Sequence, residues 1–370
     1  MRILLVTANF APHIGWIERF VEILAGELAA RGHDVTVVCC RYGSAPREEQ
    51  LDGFTVYRIP SSYVLDRRMN IPFPVPEPIA MFRTLAREIG RADVVHVQDA
   101  IYATSLPALV LAYRRRVASV LTQHVAFVPQ RSRALDAVQH AAYATLGRGA
   151  RLATVVATLN PAVAEWVRLR WRIADARVLP VGVPPMRSAA DRGELRRSFG
   201  LPDDRFIALF VGRDVPKKGL DVFLGASDPA YELVAVTDRA DNVEGATILP
   251  FMAPEAVQEL LDCVDAFVLP SVGEGFPISL QEALVKRLPV ITTWQSGYEH
   301  YLDPDDVLVV ERDSGSVRAT LQRLVGDEAL RASLSERSQA AAQRNFGVEP
   351  FVSAYEETYS EVRTLRSGSA

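Results

Sequence analysis

"AFVLPSVGEGFPISLQEAL", residues 266–284, is the stretch on which the reading of the whole chain turns. Ala266–Ser271 has the apolar character of a buried strand, Val272–Phe276 reads as a loop, and Pro277 can open a helix as its first residue, where its missing N–H costs nothing. The amides of Gly275, Phe276, Ile278 and Ser279 are then free, and the helix dipole adds to their pull on an anion. A carboxylate at Glu274 would be repelled by that anion and should face neutral, hydroxyl-bearing groups. Glu282 falls about 7 Å further along the helix axis, from the rise of about 1.5 Å per residue. The plainer alternative makes Glu274 a loop cap and Glu282 a surface helix charge.

The same strand–loop–helix unit repeats in both directions. Apolar runs at 2–10, 34–41, 93–99, 119–124 and 154–159 read as strands, with helical spacing between them, as over Trp16–Arg31. The stretch 179–194, "LPVGVPPMRSAADRGE", has linker composition. The rhythm then restarts at 206–213, 231–238, 246–251, 266–271 and 288–293. Alternating strands and helices predict parallel sheets covered on both faces, so the fold class is α/β with two domains, 1–184 and 185–347, followed by 348–370. Ligands bind beyond the carboxyl ends of such strands, and two facing sheets would place one ligand in the cleft between them. The proline cluster "NIPFPVPEP" at 70–78 reads as an extended surface connection.

A second stretch suits an anionic ligand. In "FVGRDVPKKGLDVF", residues 210–223, the strand ends at Val211, Gly212 allows the turn, and a helix begins near Gly219 or Leu220. Arg213 and Lys218 therefore emerge at a strand's carboxyl end. The chain has 38 Arg and only 3 Lys, yet Lys217 and Lys218 stand together here. An ammonium suits a phosphate as a point charge and a guanidinium suits bidentate contact. A solvated basic turn is the alternative. A ligand carrying sugar hydroxyls, a diphosphate and further hydroxyls would touch this loop, Glu274 and Glu282 together, and a sugar nucleotide has that layout.

Composition narrows the classes. The net charge of −4 conceals a basic part, since residues 101–185 carry 11 Arg against 3 acidic residues. An anionic partner such as a membrane surface or a phosphorylated acceptor fits that face, as does simple solvation; nucleic acid is not expected, because the aromatic interleaving of a stacking platform is missing. Cys39, Cys40 and Cys263 fit neither a disulfide framework nor a metal spacing, which predicts a reduced, cytoplasmic protein. "MRILLVTANFAP" reads as a strand rather than a signal peptide, and the longest apolar stretches fall short of a membrane span.

With these motifs in place, the chain resembles the retaining glycosyltransferases of GT-B fold in family 4. "APHIGWIERFVEILAGELAARGHDVTVV" (11–38) is similar to that family's opening, "DVVHVQD" and "LTQH" to its middle, and "EGFPISLQEAL" to its E-x7-E signature. The resemblance implies two Rossmann-like domains facing each other across a cleft, an N-terminal acceptor domain and a C-terminal donor domain, with a last helix crossing back to the first. It implies that Glu274 approaches the hydroxyls of the transferred sugar and that Glu282 holds the nucleotide ribose. Arg213 and Lys218 would bind the diphosphate and stabilise it as it leaves, and His124 would contact the sugar. The stretch Gly275, Phe276, Pro277, Ile278 would offer backbone amides to the donor, and Gly212 and Gly15 would let it approach. His124 also ends an apolar strand and could be a hydrogen-bonded core residue instead; His96 reads as structural.

The chain departs from the family at Trp16, where a second glycine is usual, at "PVGVPP" and at "VTDRAD". The implied activity is hexose transfer from a nucleoside diphosphate sugar, as co-substrate and without other cofactor, to a glycan, lipid or small-molecule acceptor. Metal-independent chemistry is expected, no Asp-x-Asp metal motif being evident. A catalytically silent sugar-nucleotide binder and a GT-B epimerase are the competing readings. A dehydrogenase would want G-x-G-x-x-G after a strand, and none is found.

Overall fold

The computed structural model describes residues 1–370 apart from 14, 65–72, 128–132, 184–187, 240, 242, 274–275 and 368–370. The chain divides into two compact units, Met1–Val181 with Glu349–Ala370, and Gly182–Val348.

The first unit is built on one large sheet. Its strands are β1 (Arg2–Val6), β2 (Asp34–Cys40), β3 (Glu48–Leu51), β4 (Phe54–Ile59), β7 (Val94–Gln98), β8 (Ala118–Gln123), β9 (Val155–Thr158) and β10 (Arg177–Val178), with β5 (Ser61–Ser62) and β6 (Val75–Pro76) pairing apart from it. The order is β10-β9-β8-β7-β1-β2-β4-β3, parallel except for the edge hairpin β3–β4. The chain starts in the middle at β1, winds outward through β2 and β4, and returns to β7 on the other side of β1. The order therefore reverses between β1 and β7, where a ligand crevice forms in such sheets.

Helix α1 (Trp16–Ala30) buries Phe20, Leu24 and Leu28, the one-face spacing that puts an amphipathic helix on a sheet. In α2 (Pro78–Ile89), the Glu77 carboxylate accepts the Ile79 and Ala80 amides at 3.0 and 2.5 Å. The proline cluster is thus partly the short strand β6 and partly a helix start, while residues 70–72 lie outside the described residues. Next come α3 (Ser105–Arg114), α4 (Arg133–Thr145) and α5 (Pro161–Trp171), the last capped by the Asn160 side chain on the Val163 amide at 2.8 Å.

The second unit carries β11 (Phe206–Val211), β12 (Tyr231–Val236), β13 (Ala246–Leu249), β14 (Ala266–Leu269), β15 (Val290–Thr292) and β16 (Leu308–Val309), all parallel, in the order β13-β12-β11-β14-β15-β16. Its reversal lies between β11 and β14. Its helices are α6 (Arg192–Ser198), α7 (Leu220–Leu224), α8 (Pro254–Cys263), α9 (Ile278–Val285), α10 (Ser314–Gly326) and α11 (Glu328–Asn345). The final helix, α12 (Val348–Ser367), belongs to the first unit from Glu349 onward. There Phe351 and Tyr355 meet Phe20 at 5.3 and 5.7 Å between ring centroids, and Arg31 and His33 pair with Glu356.

Candidate functional site

In the second unit the two motifs singled out from the sequence leave the two strands that flank the reversal. Beyond β11 the chain passes Gly212 and Arg213 and makes a short turn over Pro216–Lys218. Beyond β14 it runs through Ser271 toward α9. The loops are tied together, since the Val272 amide donates to the Lys217 carbonyl at 2.7 Å. Gly219 makes their approach possible: its φ is +75°, and a Cβ there would stand 2.3 Å from the Pro270 carbonyl oxygen. At Gly212 a Cβ would meet the Lys218 side chain at 3.5 Å, which places that stem over the strand end. Arg213 is exposed and has no ion pair among the described residues, while Lys218 is half-buried.

Anchors the sequence reading did not find hold this loop. The Asp238 carboxylate, in the departing "VTDRAD" turn, accepts the Asp214 amide at 2.6 Å. Arg312 donates to the Pro270 carbonyl at 3.2 Å and to that of Pro216. On the β14 side Gln295 donates to the Ser271 carbonyl at 3.0 Å. These partners lie 24 to 96 residues from the groups they hold, so no local motif announces them.

The helix start differs from the expectation by one residue. Pro277 is the N-cap, with extended ψ of 135°, and Ile278 is the first helical residue. The cause is that Pro277 supplies the carbonyl for the first helical bond, accepted from the Gln281 amide at 3.2 Å. Among the described residues no side chain caps this end, and the amides of the first turn, Ile278 and Ser279 among them, have no intrahelical partner. Phe276 points into the core, packed among Tyr298, Tyr301 and Phe346 at 4.7–5.2 Å between ring centroids, so only its backbone can serve a ligand. Glu282 is buried at 6% exposure, which removes the surface-charge alternative for it. Glu274 and Gly275 lie outside the described residues.

The chain does contain one Asp-x-Asp string, Asp303–Asp305, which the sequence reading passed over. It opens a short helical turn in which the Asp306 carboxylate accepts the Asp303 amide at 3.0 Å and pairs with Arg344 at 2.8 Å. Its local bonds account for it as a cap.

In the first unit, Gly15 is the N-cap of α1 with an extended backbone, and a Cβ there would run into the Glu18 carboxylate. Trp16, the departure from the family pattern, turns its indole toward His124: Nε1–H donates to His124 Nδ1 at 3.2 Å. Because Nδ1 accepts, the proton sits on Nε2, which donates to Gln98 Oε1 at 2.8 Å. The His124 ring is 1% exposed and burial pushes its pKa down to about 3, so it is neutral. The geometry is that of the hydrogen-bonded core residue, and a ligand could reach a ring nitrogen only if Trp16 or Gln98 let go. His96 is structural, held between Tyr359 and Thr122 hydroxyls at 2.7 Å each.

Sequence reading missed Asp99. It follows β7 at the reversal, has a φ of +51°, is buried, and accepts the His124 amide at 3.1 Å. Burial raises its pKa to about 7 against the opposing pull of its hydrogen bonds from His124 and Tyr102. A left-handed non-glycine residue at a sheet's ligand end is the signature of a constrained site, and only the fold reveals it.

Two doubly wound units, one with a cationic loop and an uncapped helix end at its reversal point, define the nucleotide-handling α/β class. The family models named "Glycosyltransferase Family 4" and "Glycosyl transferases group 1" match residues 15–187 and 191–341. The chain belongs to this glycosyltransferase family and is a GT-B transferase. It is 26% identical over 340 residues to a GDP-mannose-dependent alpha-mannosyltransferase of Mycolicibacterium smegmatis, covering 82% of each chain. Among solved structures it resembles the sucrose-phosphate synthase of Thermosynechococcus elongatus (TM-score 0.73, 19% identity, 98% and 99% covered). It also resembles Anabaena Alr3699/HepE in complex with UDP (TM-score 0.72, 16% identity, 98% and 100% covered).

Proposed function

We propose that the chain transfers a hexose from a nucleoside diphosphate sugar to an acceptor hydroxyl with retention at the anomeric carbon. The observation that carries this reading is the convergence of the Arg213–Lys218 loop and the open α9 terminus on one reversal point, bound together through Val272 and Lys217. Arg213, Lys218 and the amides at Ile278 and Ser279 hold the diphosphate and stabilise the charge that grows on it as the glycosidic bond breaks. In this reading the transferred sugar's hydroxyls are the task of Glu274 and the ribose that of Glu282. The departing phosphate takes the acceptor's proton on the same face, and the chemistry needs no metal. The GDP-mannose dependence of one relative and the UDP bound by a structural neighbour both fit a nucleoside diphosphate donor.

The acceptor is a glycan or lipid-linked glycan, met in part at an anionic membrane surface. Exposed Arg114, Arg115, Arg116, Arg168 and Arg172 support that contact, with Tyr113 and Leu169 exposed beside them. No helix among the described residues is long and apolar enough to cross a membrane.

The test is a thermal-shift panel of UDP, GDP and ADP sugars, followed by turnover of the stabilising donor. Lys218→Ala should lower turnover by about 10²–10³, the cost of one charge-stabilising contact, while leaving the fold intact. Unchanged turnover would remove the diphosphate role. Donor binding without release of nucleoside diphosphate in the presence of acceptor would favour the silent binder.

A further inference from the structure

Three aromatic rings gather where the loops after β1, β2 and β4 leave the carboxyl end of the first unit's sheet. His13 and Tyr42 meet edge to face at 5.0 Å, Tyr42 and Tyr63 do the same at 4.9 Å, and His13 lies nearly parallel to Tyr63 at 6.4 Å. Tyr63 is the buried floor, its hydroxyl donating to Asn9 Oδ1 at 2.8 Å. Tyr42 is 36% exposed. His13 Nδ1 stands 2.7 Å from Glu18 Oε1. A carboxylate only accepts, so Nδ1 carries the proton and Nε2 is the ring's other polar atom.

The cluster is held rigidly. One buried guanidinium, Arg58, donates to the Ala11 carbonyl at 2.8 and 3.2 Å and to the Pro46 carbonyl at 3.3 Å, and pairs with Glu49 at 2.7 Å. It thereby pins the loop that carries His13 and the loop that carries Tyr42. A site fixed before its ligand arrives loses less freedom on binding.

We propose that Tyr42 and His13, with Glu18 as the positioning residue of the imidazole, form the subsite for an uncharged sugar unit of the acceptor. This rests on the glycosyltransferase reading above. A pyranose has an apolar C–H face and a rim of hydroxyls. The Tyr42 ring matches the face, and His13 Nε2 hydrogen-bonds one hydroxyl, which can donate or accept. The Glu18 charge disfavours a phosphorylated ring at this place, and a bare lipid alcohol offers one hydroxyl without the flat C–H face that the Tyr42 ring would cover.

Saturation-transfer NMR on the full chain tests it, with methyl α-mannopyranoside, methyl α-glucopyranoside, mannose 6-phosphate and 1-octanol as probes. A methyl pyranoside should bind, and Tyr42→Ala should weaken it about tenfold without moving the melting temperature materially; His13→Ala should weaken it as much and, by leaving the Glu18 carboxylate without its partner, also lower the melting temperature. Tyr42→Phe should keep the binding, and Glu18→Gln, which retains an accepting oxygen, should keep what Glu18→Ala loses. Equal binding to all variants, or no pyranoside binding to a protein that still binds UDP or GDP, overturns the subsite alone. Tighter binding of 1-octanol or mannose 6-phosphate that Tyr42→Ala abolishes would replace it with a lipid or phosphorylated site. Failure of both nucleotides and sugars would overturn the transferase reading with it.

Discussion

Gly219→Ala is the sharpest probe of how the cationic loop is held. Two costs add at this position. A left-handed φ of +75° charges any L side chain about 1–2 kcal/mol. The new methyl group would also lie 2.3 Å from the Pro270 carbonyl oxygen, a backbone atom that cannot rotate away, and such overpacking costs about 1–3 kcal/mol. Gly200→Ala is an internal control, because its φ is +68° yet nothing lies within 4 Å of the added carbon. Urea unfolding should therefore give a loss of about 1–2 kcal/mol for Gly200→Ala and about 2–5 kcal/mol for Gly219→Ala. Relief of the clash moves Lys217 and Lys218 away from the β14 loop, so calorimetry should find nucleoside diphosphate affinity lowered in Gly219→Ala only. Equal stability losses in the two variants would refute the steric part. A destabilised Gly219→Ala with unaltered nucleotide affinity would refute the link between loop packing and the ligand.

Stability of the first unit should fall on acidification below about pH 6.5, because His96 and His124, held neutral with pKa near 3, must charge as the unfolded chain already does. Asp99 works the other way: with its pKa raised to about 7 it is protonated in the fold and not in the unfolded chain between about pH 4 and 7, so its contribution weakens as pH rises. Two protons against one leave stability falling as the pH drops, and Asp99→Asn should make that fall steeper, as read by urea unfolding between about pH 4.5 and 6; an unchanged slope would contradict the assignment. Trp16→Phe strips the donor from the buried His124 Nδ1 and should cost about 1–2 kcal/mol, while nitrogen-15 NMR of the parent protein should find His124 as the Nε2–H tautomer at pH 7. Tyr359→Phe leaves His96 Nδ1 without its 2.7 Å partner and should cost a similar amount, about 1–2 kcal/mol, measurable as a lowered melting temperature.

The strands were legible because each is a short apolar run, though the runs overshoot. The expected strand 2–10 ends at Val6, since Thr7 and Asn9 belong to the loop that opens at the ligand end. β4 was missed because Tyr57 and Arg58 break its apolar pattern; Arg58 is tolerable there only through Glu49 and the carbonyls that the fold brings to it. The candidate donor motifs were readable since each lies within one strand–loop–helix unit. His124 was not, because its state is set by Trp16, 108 residues earlier, and by Gln98 on the neighbouring strand. Asp99 is a backbone conformation, and sequence carries no mark of one.

The first unit takes its final helix from beyond the second. Phe20 and His96 are completed by Phe351, Tyr355 and Tyr359, which leave the ribosome only after Gly182–Val348 has been made. The amino-terminal unit must then wait, with Phe20 uncovered, while the later-synthesised one can close around its own core. Nascent chains should thus expose an apolar surface on the half that was translated first, and maturation of the protein runs opposite to the direction of its synthesis.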